Sequence, residues 1–248
     1  MSAGANADFC DRDGSVESAY TQKDPGSIRD MFSRIAYRYD LANTLLSFGC
    51  DSLWRFRVGA LVQQWKPAAI LDLATGSGVL AQRLKHQIPM ARVVGADFCA
   101  PMLAVARRRG LTDLVVADGL RLPFRDRVFD VVTIAFGLRN MAAYEAALSE
   151  AKRVLREGGR LVVLDFSLPS GPLRALYRLY LHHFLPVYAG VVTGEPDAYR
   201  YFADSIENFP KGEEMLELFR RCGFSKCEAM PLTMGIVTVY TGRVLTPV

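Results

Sequence analysis

The sequence predicts an α/β protein built on a doubly wound, mostly parallel sheet. Short apolar segments rich in Val, Ile and Leu alternate with helical segments over residues 68–166, which is the order of repeated strand–helix–strand units. These strand segments are apolar on both faces, as buried parallel strands are. A glycine-containing turn, "TGSG" at 75–78, follows the first of them, and two further strand segments lie near the end of the sequence.

The N-terminal part divides into a tail and a helical segment. Residues 1–26 are rich in Ala, Gly, Ser and Asp and contain few large apolar residues, so we expect a flexible tail. Ser27 and Asp30 then have the spacing of a capping box, and apolar residues recur at helical intervals after them. We therefore expect a helical lid over 27–66 at the start of a single domain that spans 27–248.

Strands and helices alternate through the rest of this domain. Apolar, β-branched runs predict the strands, and apolar residues at three- and four-residue spacing predict the helices. A Gly-Gly turn is expected just before the fifth strand. The predicted strands are 68–74, 91–97, 113–118, 129–137, 159–166, 226–233 and 235–244, and the predicted helices are 79–87, 100–110, 141–156, 197–209 and 212–224.

An aromatic and basic insertion over about 168–212 interrupts this alternation. Part of it, "PLRALYRLYLHHFLP" at 172–186, has helical spacing, but ~13 residues reach only about 20 Å, too short to cross a bilayer core of about 30 Å. We expect it to lie on a membrane surface or to form an apolar cavity mouth; the alternative is an ordinary amphipathic helix packed on the sheet. A helix would place Arg174, Arg178 and His182 on one face and Leu173, Leu176, Tyr177, Tyr180 and Phe184 on another.

Composition and charge limit the classes of partner and the compartment. The formal net charge of +4 is too weak to indicate a nucleic-acid-binding surface. The first 30 residues carry a net charge of −3, so the remainder carries +7, a charge that suits an anionic membrane surface.

The five cysteines include no CxxC pair, which argues against a disulfide framework or a metal site. Because the first thirty residues also lack an apolar signal segment, we expect a cytoplasmic protein.

The glycine turn has two interpretations. In "ILDLATGSGVLA" (70–81), Gly76 and Gly78 let the backbone approach a ligand at the start of a helix. Asp97 ends the next strand, about 20 residues further on, where an acid accepts hydrogen bonds from ribose hydroxyls. The same spacing fits a dinucleotide fingerprint, so an NAD(P)-dependent oxidoreductase is one alternative. The Tyr-x-x-x-Lys pair of such a site is not found in the sequence.

Further residues separate the two interpretations. Asp72 precedes the glycines inside the strand, giving L-D-L-x-x-G-x-G, and Asp118 with Gly119 ends the third strand, where an adenine edge would lie. Together with the Gly-Gly sequence before the fifth strand, this set resembles the class I S-adenosylmethionine (SAM)-dependent methyltransferases. The resemblance implies a Rossmann-like, seven-stranded sheet with a reversed last strand, and the terminal pair of strand segments agrees with it.

Longer stretches narrow the resemblance to one branch, the quinone-biosynthesis C-methyltransferases of menaquinone and ubiquinone synthesis. The chain departs from that family's pattern at Asp51 and Ser52, usually His-Arg, at Asp165, usually Glu, and at Ala135, commonly Ser or Asn. These departures affect which quinone the protein would accept and how it would contact the methyl donor. The similar segments are "YDLANTLLSFGCDSLW" (39–54), "FGLRN" (136–140), "RVLREGGRLVVLDFS" (153–167), "YRYFADSIENFP" (199–210) and "LTMGIVTVYTG" (232–242).

The resemblance implies an enzyme that uses SAM to methylate a ring carbon of a prenylated quinol, either demethylmenaquinol or a benzoquinol of ubiquinone synthesis, without a metal. It also implies weak peripheral association with the inner face of the membrane, and it leaves a homodimer open. A non-catalytic SAM-binding partner protein is the remaining alternative. The candidate substrate-binding residues are Phe136, Asn140, His183 and Tyr201. The candidate cofactor-binding residues are Asp72, Thr75, Gly76, Ser77, Gly78, Asp97, Phe98, Met102, Asp118, Gly119 and Ala135.

Arg139 is the principal candidate catalytic residue, because it follows a buried strand at the edge where ligands bind. A phenol has a pKa near 10, so ionising it at pH 7 costs about 4 kcal/mol. A close arginine lowers such a pKa by about 1 to 3 units, so Arg139 would stabilise a quinolate. The alternative is that Arg139 pairs with an acid such as Asp40 to hold the N-terminal helix. Tyr39, Asp40 and Asn43 are the candidates for proton relay, with helix capping and core packing as their alternative role.

Overall fold

Seven strands form one sheet in the computed structural model, which describes residues 44, 47, 49–185 and 196–245, with the backbone alone over 196–201. The strands are β1 (Ala69–Leu73), β2 (Arg92–Asp97), β3 (Leu114–Val116), β4 (Phe129–Ala135), β5 (Leu155–Phe166), β6 (Phe224–Leu232) and β7 (Val237–Val244). Their order across the sheet is β3-β2-β1-β4-β5-β7-β6. Among these strands, β7 alone runs in the opposite direction: it pairs antiparallel with β5 and β6, and the other pairs are parallel. The predicted seven-stranded sheet with a reversed last strand is confirmed.

Helices cover both faces of this sheet, and the alternation of side chains along each strand decides which face is which. In β1, Leu71 and Leu73 join the apolar cluster under the helices Tyr144–Val154 and Glu213–Arg221, whereas Ile70 joins the cluster under the helices Cys50–Gln64 and Val79–Gln87. Both faces are therefore buried, as the apolar runs predicted. The helices are, in order, the segments Cys50–Gln64 (α1), Val79–Gln87 (α2), Ala100–Arg108 (α3), Tyr144–Val154 (α4), Leu173–Leu179 (α5), Pro196–Glu207 (α6) and Glu213–Arg221 (α7).

Parts of the predicted organisation lie outside the described residues. These are the tail over 1–26, most of the first half of the lid, including Tyr39, Asp40 and Asn43, and residues 186–195 of the insertion. The division into tail, lid and insertion stays a prediction. Among the described residues, no helix has the combination of length and low charge that a membrane-crossing helix needs.

The Gly-Gly sequence before the fifth strand forms a bulge inside β5, not the turn predicted before it. Leu155 already pairs with Phe129, and the register shifts before Arg160 pairs with Val131. A Cβ atom at Gly159 would lie 2.7 Å from the Arg156 carbonyl oxygen, so this close approach requires glycine.

The helix predicted over 172–186 buries only part of the expected apolar face: Tyr177 is buried and Tyr180 lines a cavity, as predicted, but other members of that face are exposed. α5 continues into a π-helical turn at Tyr180–Phe184, and Tyr177, Leu181 and Leu185 are the buried residues. Leu176 and Phe184, which were predicted to share the apolar face, are 63% and 62% exposed. The buried residues Tyr177, Leu181 and Leu185 are spaced four apart and pack in one cluster with Ala203 and Ile206 of α6, a contact that helical periodicity alone does not specify.

Candidate active site

A cavity of about 340 Å³ opens at the carboxyl ends of β1, β2, β3 and β4. Ligands bind at this edge in doubly wound folds. We call it the sheet-end cavity. Its lining contains ten of the eleven candidate cofactor-binding residues: Asp72, Thr75, Gly76, Ser77, Asp97, Phe98, Met102, Asp118, Gly119 and Ala135. The loops that follow four neighbouring strands thus bring together residues that are far apart in the sequence.

Asp97 connects two of these loops. Its Oδ2 accepts a hydrogen bond of 2.8 Å from the Gly76 amide, and its Oδ1 accepts one of 2.9 Å from the Cys99 amide. Burial raises the pKa of this carboxyl, and the amides partly offset that effect. A carboxylate has about four acceptor positions, so Asp97 retains capacity for a ligand hydroxyl while it holds the glycine loop against the end of β2.

Asp72 lies deeper in the same cavity. Its two oxygens accept hydrogen bonds of 2.6 Å from the hydroxyls of Thr75 and Thr133. Burial outweighs these hydrogen bonds and the nearby charge of Arg55, and it raises the pKa of Asp72 from 3.8 to about 6. The threonines therefore fix the orientation of a carboxylate that burial makes easier to protonate.

The two loop glycines have different roles. Gly76 has φ of +56° and faces the cavity beside Met102. Gly78 is the eleventh candidate, and it lies outside the described lining. A Cβ atom there would come within 2.4 Å of Leu111 Cδ1 and 2.9 Å of Ala106 Cβ, so Gly78 serves the close packing of α2 on the region around α3.

The "FGLRN" segment forms a compact turn after β4. Phe136 has a φ of +59°, in the left-handed region that non-glycine residues rarely adopt. A Cβ atom at Gly137 would lie 2.4 Å from the Cβ of Ala74, so glycine lets the loops after β4 and β1 meet. Asn140 donates from Nδ2 to the Phe136 carbonyl at 3.4 Å. Phe136 and Asn140, two of the four candidate substrate-binding residues, both line the sheet-end cavity.

Arg139 turns away from this cavity. Its side chain is 3% exposed and donates from Nη1 to Asp165 Oδ1 at 2.8 Å and to the Phe136 carbonyl at 2.5 Å. The guanidinium lies 5.3 Å from the ring centroid of Phe166 and 5.0 Å from that of Phe202. Asp165, which stands where the family usually has Glu, is therefore an acid that pairs with Arg139, whereas the predicted partner Asp40 lies outside the described residues.

A second, mainly apolar cavity of about 260 Å³ lies next to the first. We call it the aromatic cavity. Phe136, in the wall of the sheet-end cavity, contacts Phe166 and Trp54 of the aromatic cavity, with ring centroids 4.8 and 6.1 Å apart. The two cavities thus share an aromatic partition. The aromatic cavity is lined by Ser47, Cys50, Trp54, Phe166, Tyr177, Tyr180, Leu181, Leu185, Phe202, Thr233 and Ile236.

The remaining candidates are not brought to either cavity. His183 is exposed on the π-helical turn and belongs to neither described lining. Tyr201 lies in α6, and its side chain is outside the described part of the chain, as are Tyr39, Asp40 and Asn43. Their assigned roles stay predictions.

Sequence reasoning missed Arg55, which lines the sheet-end cavity from α1. An arginine in a helix ordinarily indicates a solvated face, but this side chain is 7% exposed and pairs with Asp51 one turn earlier. The signal that could have found it is the Asp51–Arg55 spacing beside the signature tryptophan, Trp54. Asp51, a departure from the family pattern, is thereby explained as the partner of a buried cation.

A model of the ubiE/COQ5 methyltransferase family matches residues 18–244 of this chain. The chain belongs to the ubiE/COQ5 methyltransferase family. It is 50% identical over 218 residues to the demethylmenaquinone methyltransferase of Thermus thermophilus, covering 86% of this chain and 99% of that protein. It is 42% identical over 222 residues to the protein of the same name from Deinococcus radiodurans, covering 87% and 92%.

Solved structures share the fold of this ubiE/COQ5 family member. A SAM-dependent methyltransferase of Thermotoga maritima superposes with a TM-score of 0.61 at 20% identity, covering 86% of this chain and 98% of that one. Human N-acetylserotonin methyltransferase in complex with SAM gives 0.56 at 14% identity, covering 83% and 55%. The class I SAM-dependent methyltransferase fold and a methyltransferase activity are thus confirmed. The NAD(P)-dependent oxidoreductase and the non-catalytic SAM-binding partner are not supported.

Proposed function

We propose that this family member transfers the methyl group of SAM to a ring carbon of demethylmenaquinol, giving menaquinol. The observation that carries the proposal is the pair of adjoining cavities, separated by Phe136: the one at the sheet end contains three acidic side chains and Arg55, and the other is mainly apolar and aromatic. A charged methyl donor and a hydrophobic acceptor need such different surroundings. The names of the relatives favour a naphthoquinol over the benzoquinol of ubiquinone synthesis.

The residues of the sheet-end cavity fit SAM. Asp97, at the end of β2, has acceptor capacity for the ribose hydroxyls. Asp118 and Gly119, after β3, border the space where the adenine would lie. SAM supplies a methyl group on a positively charged sulfonium, and the acidic residues of the cavity favour a cation electrostatically.

The aromatic cavity suits the acceptor ring and the start of its prenyl tail. Trp54 and Phe166 meet Phe136 at the partition, so an acceptor ring resting on these residues would lie beside the methyl donor. Trp54 is fixed there by a 2.7 Å hydrogen bond from its Nε1 to Thr233 Oγ1. Holding both reactants in line lowers the entropic part of the barrier to methyl transfer.

The tail would enter from a membrane surface. Leu176, Leu179 and Phe184 are 63%, 47% and 62% exposed, on the helical segment whose other side provides Tyr177 and Leu181 to the aromatic cavity. An exposed apolar face beside a cavity for a lipid tail is suited to peripheral contact with lipid. We therefore propose weak, reversible membrane association through this face.

Arg139 is proposed as a positioning residue for the acceptor wall. Its guanidinium lies near the rings of both Phe166 and Phe202, and it is tied to Asp165. It is not among the residues that line either cavity. In this role it orders the aromatic wall, whereas in the competing catalytic role it stabilises a quinolate directly.

The pH dependence of kcat separates these two roles. In the positioning role, Arg139→Ala lowers kcat by a similar factor at every pH, and Arg139→Lys, which preserves a charge beside Asp165, retains more activity. In the quinolate role, raising the pH restores the activity of Arg139→Ala, because the quinol then ionises unaided. Since breaking a buried ion pair costs about 3 to 5 kcal/mol, circular dichroism of each variant accompanies the kinetics.

The proposed function itself is tested by turnover. Purified protein with SAM and a reduced, short-chain demethylmenaquinol is expected to yield the methylated product and S-adenosylhomocysteine in equal amounts. The corresponding benzoquinol serves as the comparison substrate and is expected to react more slowly. SAM binding without methylation of either quinol would contradict the proposal.

A further inference from the structure

Arg55 is the basic side chain in the described lining of the sheet-end cavity. The acidic residues of the same lining are Asp72, Asp97 and Asp118. A buried cation at a ligand site is costly unless something uses its charge. The position of Arg55 therefore raises the question of which part of the methyl donor it meets.

The structure holds the guanidinium of Arg55 in place from two sides. Asp51 accepts a hydrogen bond from Nη1, and Ser47 in turn donates to the other oxygen of Asp51 at 3.3 Å. The guanidinium also lies 5.1 Å from the ring centroid of Phe136. A guanidinium has five N–H donors in a planar fork, so the contact of Nη1 with Asp51 leaves other donors of this group for a ligand at the cavity wall.

The order of the strands gives the direction of the methyl donor. β3, β2, β1 and β4 are adjacent in that order. With the adenine beside Asp118 after β3 and the ribose beside Asp97 after β2, the amino-acid end of SAM extends toward β4. Phe136 follows β4, and Arg55 lies over its ring.

We infer that Arg55 binds the α-carboxylate at the amino-acid end of SAM, with Asp51 as the residue that positions it. The inference rests on the orientation of the methyl donor in the proposed function. Arg and carboxylate form short, charge-assisted hydrogen bonds, often two in parallel. Arg55 is the cation in the described lining that a carboxylate can meet, and its charge already acts inside this cavity, because it lowers the pKa of Asp72 against the effect of burial.

A thermodynamic cycle tests this pairing without any acceptor. The two ligands are SAM and decarboxylated SAM, which keeps the adenosine, the sulfonium and the amine. The wild-type protein is expected to bind decarboxylated SAM about 10- to 150-fold more weakly, the effect of losing a charge-assisted hydrogen bond. Arg55→Gln is expected to weaken SAM by a similar factor and to bind the two ligands about equally. Calorimetric titration measures all four affinities.

The controls separate a lost contact from a damaged cavity. Arg57→Gln removes an exposed arginine of the same helix and is expected to change neither affinity. Asp51→Asn is expected to reduce the discrimination between the two ligands only in part, because it loosens Arg55 without removing it. Equal binding of both ligands by the wild-type protein would overturn the inference, whether or not a variant folds. The inference would also be overturned if Arg55→Gln reduced the affinities for SAM and decarboxylated SAM by the same factor.

The failure of this inference and the failure of the proposed function remain distinguishable. The binding cycle uses no quinol, so absence of methyl transfer to demethylmenaquinol leaves the affinities of the cycle unchanged. Conversely, a wild-type protein that ignores the carboxylate of SAM can still methylate the quinol.

Discussion

At the residue scale, Asp97 has two tasks at the edge of the sheet. It accepts hydrogen bonds from the amides of Gly76 and Cys99, and it also faces the sheet-end cavity. In a parallel sheet, the ends of neighbouring strands meet at one edge, so an acid at the end of β2 must lie beside the loop after β1. The spacing in the sequence is therefore sufficient to place Asp97 and Gly76 together.

Removing the Asp97 carboxylate is expected to weaken SAM binding. We predict that Asp97→Ala reduces the affinity by about 10- to 150-fold, since a charge-assisted hydrogen bond contributes about 1.5 to 3 kcal/mol. Calorimetric titration with SAM measures the effect. Asp113→Ala, which removes a surface ion pair with Arg92 nearby, is the matched control and is expected to bind SAM normally. An Asp97→Ala protein with the affinity of the wild type would remove this residue from the site.

Asp72 should give the folded protein a distinct dependence on pH. Burial raises its pKa from 3.8 to about 6, so the folded state binds this proton more tightly than the unfolded state does. The stabilisation by the protonated form is full below the unfolded pKa and is lost as the pH rises through about 6. As the pH rises from below 3.8 to above about 6, the wild type is therefore expected to lose about 3 kcal/mol of unfolding free energy relative to Asp72→Asn.

Urea denaturation of the wild type and Asp72→Asn over that pH range measures the difference. Asp130→Asn provides a control of opposite sign, because hydrogen bonds from the amides of Ala68 and Ala69 and from Arg156 hold the pKa of Asp130 below its usual value. Its contribution is lost as the pH falls. A constant difference between the wild type and Asp72→Asn would show that Asp72 is not buried as described.

Other residues of the site could not be predicted from sequence. Arg55 belongs to a helix whose packing on the sheet depends on contacts distant in the chain, and its charge indicated a solvent-facing position. The pairing of Arg139 with Asp165 joins residues 26 apart, and sequence reasoning could say only that an acid would be near. Asp51 departs from the family pattern, and its role follows from the position of Arg55 beside it in the structure.

At the scale of elements, the segment that runs from α5 into the π-helical turn shows where periodicity fails. Regular helical spacing assigned Tyr177, Leu176 and Phe184 to the apolar face, but only Tyr177 of these is buried, and Leu181 and Leu185 complete the buried line. No local sequence pattern predicts a π-helical turn here, because the segment packs through Leu181 against Ala203 and Ile206 of α6, which are distant in the sequence. α2 matched its predicted bounds, whereas the ends of α3, α4, α6 and α7 differ from the prediction by up to three residues.

A pair of alanine substitutions tests the corrected face. Leu181→Ala is expected to lower the free energy of unfolding by about 2 to 5 kcal/mol, because it leaves a cavity among buried side chains. Leu176→Ala, on the exposed side of the same segment, is expected to change it by no more than about 0.5 kcal/mol. Chemical denaturation monitored by circular dichroism provides both values. A larger loss for Leu176→Ala than for Leu181→Ala would restore the face predicted from sequence.

At the scale of the whole molecule, the sheet could be predicted almost completely. Alternating strand and helix segments permit few arrangements, since parallel crossovers are right-handed and connections are short. The reversed β7 followed from the resemblance together with the terminal strand pair. The bulge at Gly158 could not be predicted, because it depends on the register of β5 against β4.

Membrane association is expected to combine charge and an apolar face. We predict that the protein co-sediments with anionic vesicles and is released as salt screens the attraction. Leu176→Ser/Leu179→Ser/Phe184→Ser is expected to weaken binding about tenfold or more, since burying one such side chain contributes about 1.5 to 3 kcal/mol. Met90→Ser, which alters a methionine that is 95% exposed elsewhere, is the control. Binding indifferent to salt, lipid charge and the triple substitution would contradict this prediction.

The separate linings of the two cavities have an evolutionary consequence. The sheet-end cavity is built mainly from the loops after the central strands, with Arg55 contributed by α1. The aromatic cavity is built chiefly from other residues of α1, the α5 segment, α6 and the turn before β7, with no residue common to the two described linings. Substitutions in the peripheral elements can therefore alter which acceptor is accommodated while the methyl-donor side stays intact. Phe136 and α1 are the exceptions, because the Phe136 ring contacts residues of both linings and α1 provides Arg55 to one cavity and Trp54 to the other. Selection for a new acceptor would be freest in the α5 segment, α6 and the turn before β7, and most restricted at Phe136 and in α1.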